Sequence, residues 1–292
     1  LLNHLGRLQE NRKHYPEAEQ HLARSLQLNP HQPDVVQHYL GLRRRQCRWP
    51  STPDWLRQAR PGDDVALEIG PFMGMAELPE PARQRLAAQG FVQRKLPPDI
   101  RALPPAPAWR HARLRIGYFS GDFKHHAVSI LMAEVLELHD RQRVEVYGLD
   151  YSDPTPSAMR QRVLQAFDRH VPLHTLSDAQ AAQCIRDLEI DVLIDLTGLT
   201  AGSRFGVLPY RAAPVQASYL GYMGSSAIPG VDHILTDRFL MPPELRTHFS
   251  EQPIYLHSYQ ANDRQRLIGP TPSRADCALP EHGFVFCAFN NN

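Results

Sequence analysis

The sequence predicts an α/β protein with an all-α amino-terminal part, in which the α/β part is a doubly wound parallel sheet. Up to about residue 50 the apolar residues recur with the period of an α-helix. From Leu114 onward short apolar runs alternate with helix-like stretches. Strands that are apolar throughout and separated by helices are typical of a parallel sheet covered by helices on both faces.

Residues 1–50 are expected to form paired helices. Leu1, Leu5 and Leu8 share one helical face, and a second helix starts near Pro16, a residue type that suits a first helical turn. The second face comprises Ala18, Leu22, Ser25, Leu26 and Leu28. The spacing resembles the tetratricopeptide repeat, in which small residues let paired helices pack closely, on the residues Leu5, Gly6, Tyr15, Ala18, Leu26 and Pro30. One such repeat and part of another cannot bury a solenoid core, so we expect these residues to end a longer helical array.

Residues 51–113 are expected to be a proline-rich helical linker. Arg43, Arg44 and Arg45 stand just before it and raise the question of a nucleic-acid site. This stretch lacks the interleaved aromatic residues that single-strand binding uses, and a solvated helix end is the simpler interpretation. The chain has 32 basic and 31 acidic residues and a formal net charge of +1, so no net field attracts nucleic acid or an anionic membrane. We therefore expect neither as a partner.

The sequence also limits compartment and metal chemistry. No apolar run approaches the roughly 20 residues that span a bilayer, and the polar opening LLNHLGRLQENRKHY is no signal peptide. The four cysteines lie far apart, which favours reduced thiols over a zinc site or a disulfide framework. No Asp-x-Asp triplet occurs to hold a metal on a diphosphate. We expect a cytoplasmic protein without a metal site.

The α/β part is expected to span residues 114–283. Its strands are predicted at LRIGYFS, VEVYGLDYS, RHVPLH, DVLIDLTG, APVQASYLGY and HILTDRFL, and its helices at AVSILMAEVLELH, SAMRQRVLQAF and DAQAAQCIRDLEI. The stretch that opens with YLHSYQAND is interpreted as a strand end followed by a proline-rich crossing. FVFCAFN then predicts a further buried strand, and residues 284–292 would begin a second lobe.

Polar residues follow three of the predicted strands. The first group is Ser120, Asp122, His125 and His126; the second is Asp195, Thr197, Gly198 and Thr200; the third is LGYMGSSAIPG, from Leu220 to Gly230. Because the carboxyl ends of parallel strands meet at one edge of a sheet, we expect the three groups to form one ligand site. Each group also has a structural interpretation, as a turn for GYMGSS and as a cap for Asp195.

Four segments in this order resemble the protein O-linked N-acetylglucosamine transferase family, in a bacterial form. They are LRIGYFSGDFKHHAVSILM, DVLIDLTGLTAGSR, LPYRAAPVQASYLGYMGSS and DHILTDRFLMPPELRTHFSE. The resemblance implies a glycosyltransferase of the two-lobe, GT-B kind: tetratricopeptide repeats, a helical linker and a Rossmann-like amino-terminal catalytic lobe. It also implies a second catalytic lobe outside this chain, which would hold most of the UDP-N-acetylglucosamine.

The resemblance implies an inverting reaction that moves N-acetylglucosamine from this UDP-sugar to Ser or Thr hydroxyls of a protein or peptide acceptor bound along the repeats. It implies no cofactor and no metal. His126 aligns with the family histidine that faces sugar and acceptor, whereas His125 is expected at the surface. The proton acceptor would be His126, or water relayed to Asp195. Substrate would be bound by Thr200, Leu220, Gly221 and Tyr222, with the Leu-Gly-Tyr turn near the leaving diphosphate.

Two influences on His126 oppose each other. A helix start disfavours the imidazolium through the macrodipole, which keeps more of the ring neutral, whereas Asp122 would favour the imidazolium if it points at the ring. Two other functions stay open. SPINDLY-like protein O-fucosyltransferases, which use GDP-fucose, share the framework and the histidine, and a non-catalytic peptide-binding repeat scaffold would keep the fold alone. Donor choice would be made largely by the other lobe.

Overall fold

The structure is a computed structural model that describes residues 1–106, 109–266 and 268–288. Its first part is helical. The helices are α1 (Leu2–Asn11), α2 (Tyr15–Leu28), α3 (Pro33–Arg45), α4 (Asp54–Ala59), α5 (Pro71–Glu77) and α6 (Pro81–Lys95), with a 3₁₀ turn at Val65–Glu68. The sequence predicted paired helices and a helical linker here, and the tetratricopeptide assignment and the domain boundaries stay predictions.

Helices α1 and α2 pack closely because Gly6 has no side chain. A Cβ on Gly6 would lie 2.3 Å from Leu22 Cδ2, closer than real Cβ atoms come. On α2 the expected face is buried at Ala18, Leu22, Ser25 and Leu26. Leu28, which was expected on the same face, is 66% exposed. The reason is geometric, since two positions after Leu26 a helical side chain points about 200° away.

Two of the three arginines that end α3 donate hydrogen bonds to other protein groups, and the third contacts an aromatic ring. Arg43 donates to Glu19 Oε1 and to the carbonyl of Ser51, at 3.0 and 2.9 Å. Arg44 donates to the carbonyl of Met73, and Arg45 lies over the ring of Tyr15. The sequence predicted a solvated helix end. This was wrong for Arg43 and Arg44, because α2 and the linker pack around them, whereas Arg45 is exposed as predicted.

Helix α6 connects the helical part to the sheet. Ala87 is buried in the core of the helical part, whereas Ala88 and Val92 are buried against the sheet.

At the end of the linker, His111 lies between two carboxylates, 3.0 Å from Asp191 Oδ2 and 2.9 Å from Glu189 Oε2. The hydrogen bonds that the ring donates to Glu189, first, and to Asp191 raise the pKa of His111. The linker is therefore a layer packed against the rest of the chain at both ends.

The second part contains a seven-stranded sheet in which every pairing is parallel. Its strands are β1 (Leu114–Ser120), β2 (Val144–Asp150), β3 (Arg169–Pro172), β4 (Val192–Asp195), β5 (Val215–Ser218), β6 (His233–Thr236) and β7 (Gln252–Tyr255). The spatial order is β3-β2-β1-β4-β5-β6-β7. This is the doubly wound order 3-2-1-4-5-6 with one more strand at its edge. The predicted parallel sheet is confirmed. The strand end was expected within YLHSYQAND, whereas β7 ends at Tyr255, the first residue of that stretch.

Helices cover both faces of the sheet, as the all-apolar strands predicted. They are α7 (Ala127–Glu137), α8 (Ala158–Gln165) and α9 (Asp178–Asp187), with 3₁₀ turns at Phe205–Tyr210 and Pro243–His248. Neighbouring strand residues enter opposite cores: Tyr118 packs with α7 and α8, and Phe119 packs with α9. This alternation is the period-two pattern of a strand buried on both sides.

The end of the described chain differs from expectation. Residues 284–288 form no strand, and Phe284 and Phe286 are 83% and 91% exposed. A strand needs a neighbour that takes its backbone hydrogen bonds, and within the described residues none lies beside this segment. The rest of the predicted strand, with residues 289–292, lies outside the described residues. No helix in the described ranges is long and apolar enough to cross a membrane.

Candidate functional site

The strand order places three loops along one edge of the sheet. The order reverses between β1 and β4, and doubly wound sheets bind ligands at that reversal, outside the carboxyl ends of the strands. The histidine loop (residues 121–126) follows β1, and the threonine loop (residues 196–204) follows β4. The Leu-Gly-Tyr loop (residues 219–226) follows β5, the next strand along. All six predicted site residues lie on these loops or, for Asp195, at the end of β4.

The three loops contact one another. Thr197 Oγ1 lies 3.4 Å from the backbone N of Gly121, across the reversal point. On the other side, a Cβ on Gly221 would lie 2.1 Å from the carbonyl oxygen of Leu196. A Cβ on Gly198 would lie 2.4 Å from Tyr222 Cβ, and Gly198 has a positive φ of 58°. The expected convergence of the three groups is what the structure has, and two glycines allow it.

His126 is the N-cap of α7, and this defines the state of its ring. The backbone N–H of Val128 donates to His126 Nδ1 at 3.3 Å, so Nδ1 carries no proton and the neutral ring carries it on Nε2. Asp122 Oδ2 lies 3.8 Å from the same Nδ1 and would form an ion pair only with a ring protonated there, which would break the cap. The side chain is 44% exposed. His126 therefore presents an N–H donor at Nε2.

His125 is exposed, as expected. It precedes the N-cap and makes no side-chain hydrogen bond within the described residues. The adjacent histidines thus differ in kind, because His126 belongs to the start of α7 and His125 only to the loop before it.

Asp195 lies beneath the threonine loop and is 1% exposed. Its Oδ1 accepts from the backbone N–H of Thr197 at 3.1 Å, and its Oδ2 accepts from that of Gly198 at 2.9 Å. Burial raises the pKa of Asp195 to about 6, although these two bonds oppose the rise, and the charge of Asp122 adds to it. Asp195 organises the turn, which matches the capping interpretation. Any contact with a bound substrate would need a water relay.

We expect the stability cost of the Asp195 charge to depend on pH. The folded pKa of about 6 exceeds the ordinary 3.8, so the native state holds the proton more tightly than the unfolded chain. The stabilisation from the proton is present at low pH and lost as the pH rises through about 6. Relative to Asp195→Asn, the free energy of unfolding of the wild type should fall by about 2–3 kcal/mol between pH 4 and pH 7. Urea denaturation at several pH values measures it, and parallel curves for the two proteins would refute the shifted pKa.

The Leu-Gly-Tyr loop is a constrained turn. Leu220 has a positive φ of 69°, which ends β5 earlier than the apolar run APVQASYLGY predicts. Its carbonyl accepts from the hydroxyl of Tyr259 at 2.8 Å, and Gly221 N–H donates to the carbonyl of Tyr219 at 2.8 Å. The side chains of Leu220 and Tyr222 are 6% and 3% exposed. These residues could meet a ligand mainly through their backbone.

Thr200, on the neighbouring threonine loop, is half-buried, and its hydroxyl donates to the carbonyl of Thr197 at 2.9 Å.

Glu251 anchors the Leu-Gly-Tyr loop, and the sequence did not predict it as a site residue. It is 2% exposed and accepts from Ser225 Oγ at 2.9 Å and from the backbone N–H of Ser226 at 2.8 Å. Tyr259 and Arg160 were missed for the same reason. Each reaches a loop from a distant part of the chain, and no local spacing marks it.

The described residues show no group of three or more His, Cys, Asp or Glu side chains arranged to hold a metal ion. A groove of about 320 Å³ lies between α6 and residues 227–229. No predicted site residue lines it. The loops at the sheet edge are therefore the candidate site on topology and contacts rather than on cavity volume.

A doubly wound parallel sheet whose polar loops gather at the reversal of strand order belongs to the class of α/β lobes that bind nucleotides and related ligands. Comparison with known proteins narrows the class. Residues 103–269 match glycosyl transferase family 41, and the chain belongs to this family. The matched range includes the whole sheet and all three loops.

Named relatives agree with the family. The chain is 32% identical over 246 residues to the probable UDP-N-acetylglucosamine–peptide N-acetylglucosaminyltransferase SEC of Arabidopsis thaliana. The matched residues are 80% of this chain and 25% of the relative. It is 31% identical over 186 residues to the probable UDP-N-acetylglucosamine–peptide N-acetylglucosaminyltransferase SPINDLY of Arabidopsis thaliana, a match that covers 61% of this chain and 20% of the relative. A solved structure of a Thermobaculum terrenum O-GlcNAc transferase mutant matches with a TM-score of 0.68 at 26% identity, over 89% of this chain and 51% of that one. The chain thus spans a quarter or less of these curated relatives.

Proposed function

We propose that this chain is part of the catalytic unit of an inverting protein O-GlcNAc transferase. It would move N-acetylglucosamine from UDP-N-acetylglucosamine to Ser or Thr hydroxyls of proteins. The observation that carries the proposal is the family 41 match, because residues 103–269 include every loop of the candidate site. The names of SEC and of the Thermobaculum protein support the same sugar.

The chemistry asks two things of the site. The acceptor hydroxyl oxygen bonds to the anomeric carbon as the bond to UDP breaks, so the hydroxyl must lose its proton and the diphosphate must be stabilised. We propose that His126 orients sugar or acceptor through its Nε2–H donor, since accepting a proton would occur at Nδ1 and break the cap with Val128. The proton would then pass to water, relayed to Asp195, which at a pKa of about 6 is mostly ionised near neutral pH.

The Leu-Gly-Tyr loop is proposed to face the leaving diphosphate. Among the described residues, the backbone N–H groups of Leu220 and Tyr222 donate to no protein acceptor, which supports a role as ligand donors. Thr200 and Gly221 complete the proposed substrate-binding set. A second catalytic lobe outside this chain would hold most of the UDP-sugar, and the acceptor would lie along the helical repeats.

Two further statements belong to the proposal. We infer that no metal and no cofactor take part, and that neither nucleic acid nor membrane is a partner, which would suit a cytoplasmic protein. The near-zero net charge and the hydrogen bonds that Arg43 and Arg44 make to other protein groups support the absence of a nucleic-acid surface.

One alternative comes from the family resemblance. The SPINDLY proteins of Arabidopsis and Petunia match at 31% and 28% identity over 61% of this chain, and they are named as N-acetylglucosaminyltransferases, so these matches do not favour GDP-fucose as the donor. A SPINDLY-like protein O-fucosyltransferase that uses GDP-fucose stays open, because donor choice would be made largely by the other lobe. A non-catalytic peptide-binding scaffold also stays open. The presence of His126 and of the Leu-Gly-Tyr loop at the same edge of the sheet argues against it.

The test is an assay of the intact protein with UDP-N-acetylglucosamine and, separately, GDP-fucose, in which mass spectrometry detects sugar added to acceptor peptides. We expect N-acetylglucosamine transfer that persists in EDTA. Transfer of fucose alone would establish the alternative, and loss of activity in EDTA that magnesium or manganese restores would refute metal independence. No transfer from either donor would favour the scaffold.

A further inference from the structure

The histidine loop is held from behind by side chains of other elements. The carbonyl of Phe123 accepts from Arg160 Nη1 at 2.7 Å, and the N–H of Phe123 donates to Ser152 Oγ at 2.8 Å. Arg160 lies on α8 and is 9% exposed, and Ser152 follows β2 and is 2% exposed. Both backbone polar groups of Phe123 are thus satisfied by buried side chains from outside the loop.

Asp150, the last residue of β2, fixes both of these partners. Its Oδ2 accepts from Arg160 Nη2 at 2.7 Å and from His170 Nε2 at 2.9 Å, and its Oδ1 accepts from the backbone N–H of Ser152 at 2.8 Å. Burial acts to raise the pKa of Asp150, but the bonds from Ser152, His170 and Arg160 outweigh it and lower that pKa. A buried carboxylate bonded to a guanidinium separates only at high cost, so Arg160 is held in one place.

Phe123 is the anchor from which the loop reaches His126. Its ring is fully buried and packs edge-on against Phe167, with centroids 5.1 Å apart. Phe123 is also the central residue of a tight turn, in which Lys124 N–H donates to the carbonyl of Asp122 at 2.8 Å.

The ring of His126 is exposed and has the 3.3 Å cap bond to orient it. On the α7 side, the carbonyl of His126 accepts from the N–H of Ile130 at 3.0 Å, and Ser129 Oγ donates to the carbonyl of Asp122 at 2.6 Å. The place of the imidazole therefore depends on α7 at one end of the loop and on where Phe123 is held at the other.

We propose that Arg160 is a positioning residue for the transfer reaction, which acts on His126 by fixing the Phe123 carbonyl. The inference rests on the proposed function, because it assigns Arg160 a part in that reaction. A displacement of about 1 Å in a substrate-orienting group can cost about 10²-fold in rate. Buried support from outside a loop prevents such displacement.

Arg160→Lys is the informative variant. The lysine keeps a cation beside Asp150, but a single ammonium on a shorter side chain cannot replace both branches of the guanidinium fork. The matched control is Arg162→Lys on the same helix, since Arg162 pairs with Glu137 and Asp263 and makes no hydrogen bond or ion pair with the histidine loop among the described residues. In the intact protein we expect Arg160→Lys to lower turnover by about 10- to 100-fold. UDP affinity and melting temperature should stay close to those of Arg162→Lys.

Coupling to His126 separates positioning from general destabilisation. In a His126→Ala background, Arg160→Lys should change the residual rate by less than about two-fold, because the residue it positions is gone. Nitrogen-15 NMR of the histidine rings gives a readout without activity. The His126 signal is identified by its absence in His126→Ala. We expect it to show a neutral ring with its proton on Nε2 in the wild type and in Arg162→Lys. In Arg160→Lys we expect a mixture of the Nε2-protonated and Nδ1-protonated neutral rings.

Equal rate losses in both backgrounds, or a wild-type ring state and turnover in Arg160→Lys, would overturn the proposal. If the wild type transfers no sugar at all, the proposed function fails. The ring signal then still decides whether Arg160 positions His126.

Discussion

Replacing His126 with alanine is expected to lower sugar transfer by about 10²-fold or more, which is an ordinary contribution for a residue that orients the substrate. UDP affinity stays close to that of the wild type, because we place most of the nucleotide on the other lobe. The measurement is steady-state transfer by the intact protein, together with calorimetric UDP binding.

Two variants control for structural effects. Asparagine is a strong N-cap, so His126→Asn can keep the bond from the Val128 N–H while removing the imidazole. We expect it to be as inactive as His126→Ala and to melt near the wild type. His125→Ala should change activity by no more than a few-fold, because this exposed side chain lies outside the cap. A His126→Asn protein with wild-type activity would mean that the residue only shapes the loop.

Gly221→Ala is expected to be the most disruptive single methyl group in the site. The new Cβ would lie 2.1 Å from the Leu196 carbonyl oxygen and 3.0 Å from Thr197 Cα. These are backbone atoms and cannot swing aside, so the two loops must separate. We expect a loss of about 3 kcal/mol or more, at the upper end for overpacking, which corresponds to a fall in melting temperature of roughly 6–12 °C. Differential scanning calorimetry measures the fall, and transfer should drop with it.

Two other glycines grade the effect. A Cβ on Gly224 would meet only the side-chain tips of Tyr222 and Met75, at 2.9 and 3.0 Å, and these can shift. A Cβ on Gly269 would meet nothing within 4 Å. The expected order of destabilisation is Gly221→Ala, then Gly224→Ala, with Gly269→Ala near zero. A Gly221→Ala protein as stable and active as Gly269→Ala would show that the loops are not in this contact.

The sequence was enough to predict where the candidate site lies but not how exposed its residues are. Polar groups after three apolar runs were enough to place His126, Asp195 and the Leu-Gly-Tyr turn at one edge, because parallel strands end together. The exposure of those residues could not be inferred in this way. Asp195 is 1% exposed and bonded to its own loop, whereas His126 is 44% exposed. Burial depends on what packs over a residue, which a local pattern does not contain.

The sequence by itself determined the parallel sheet, its helical cover and the edge that carries the loops, because period and strand order follow from which neighbouring residues are apolar. Only the tertiary structure decided which nitrogen of His126 accepts from the Val128 N–H and what holds each loop. Arg160 reaches Phe123 across 37 residues, Glu251 reaches Ser226 across 25, and Tyr259 reaches Leu220 across 39. Such bonds form because the packed sheet brings distant polar groups together away from water, where each must find a partner, and no spacing along the chain encodes that meeting.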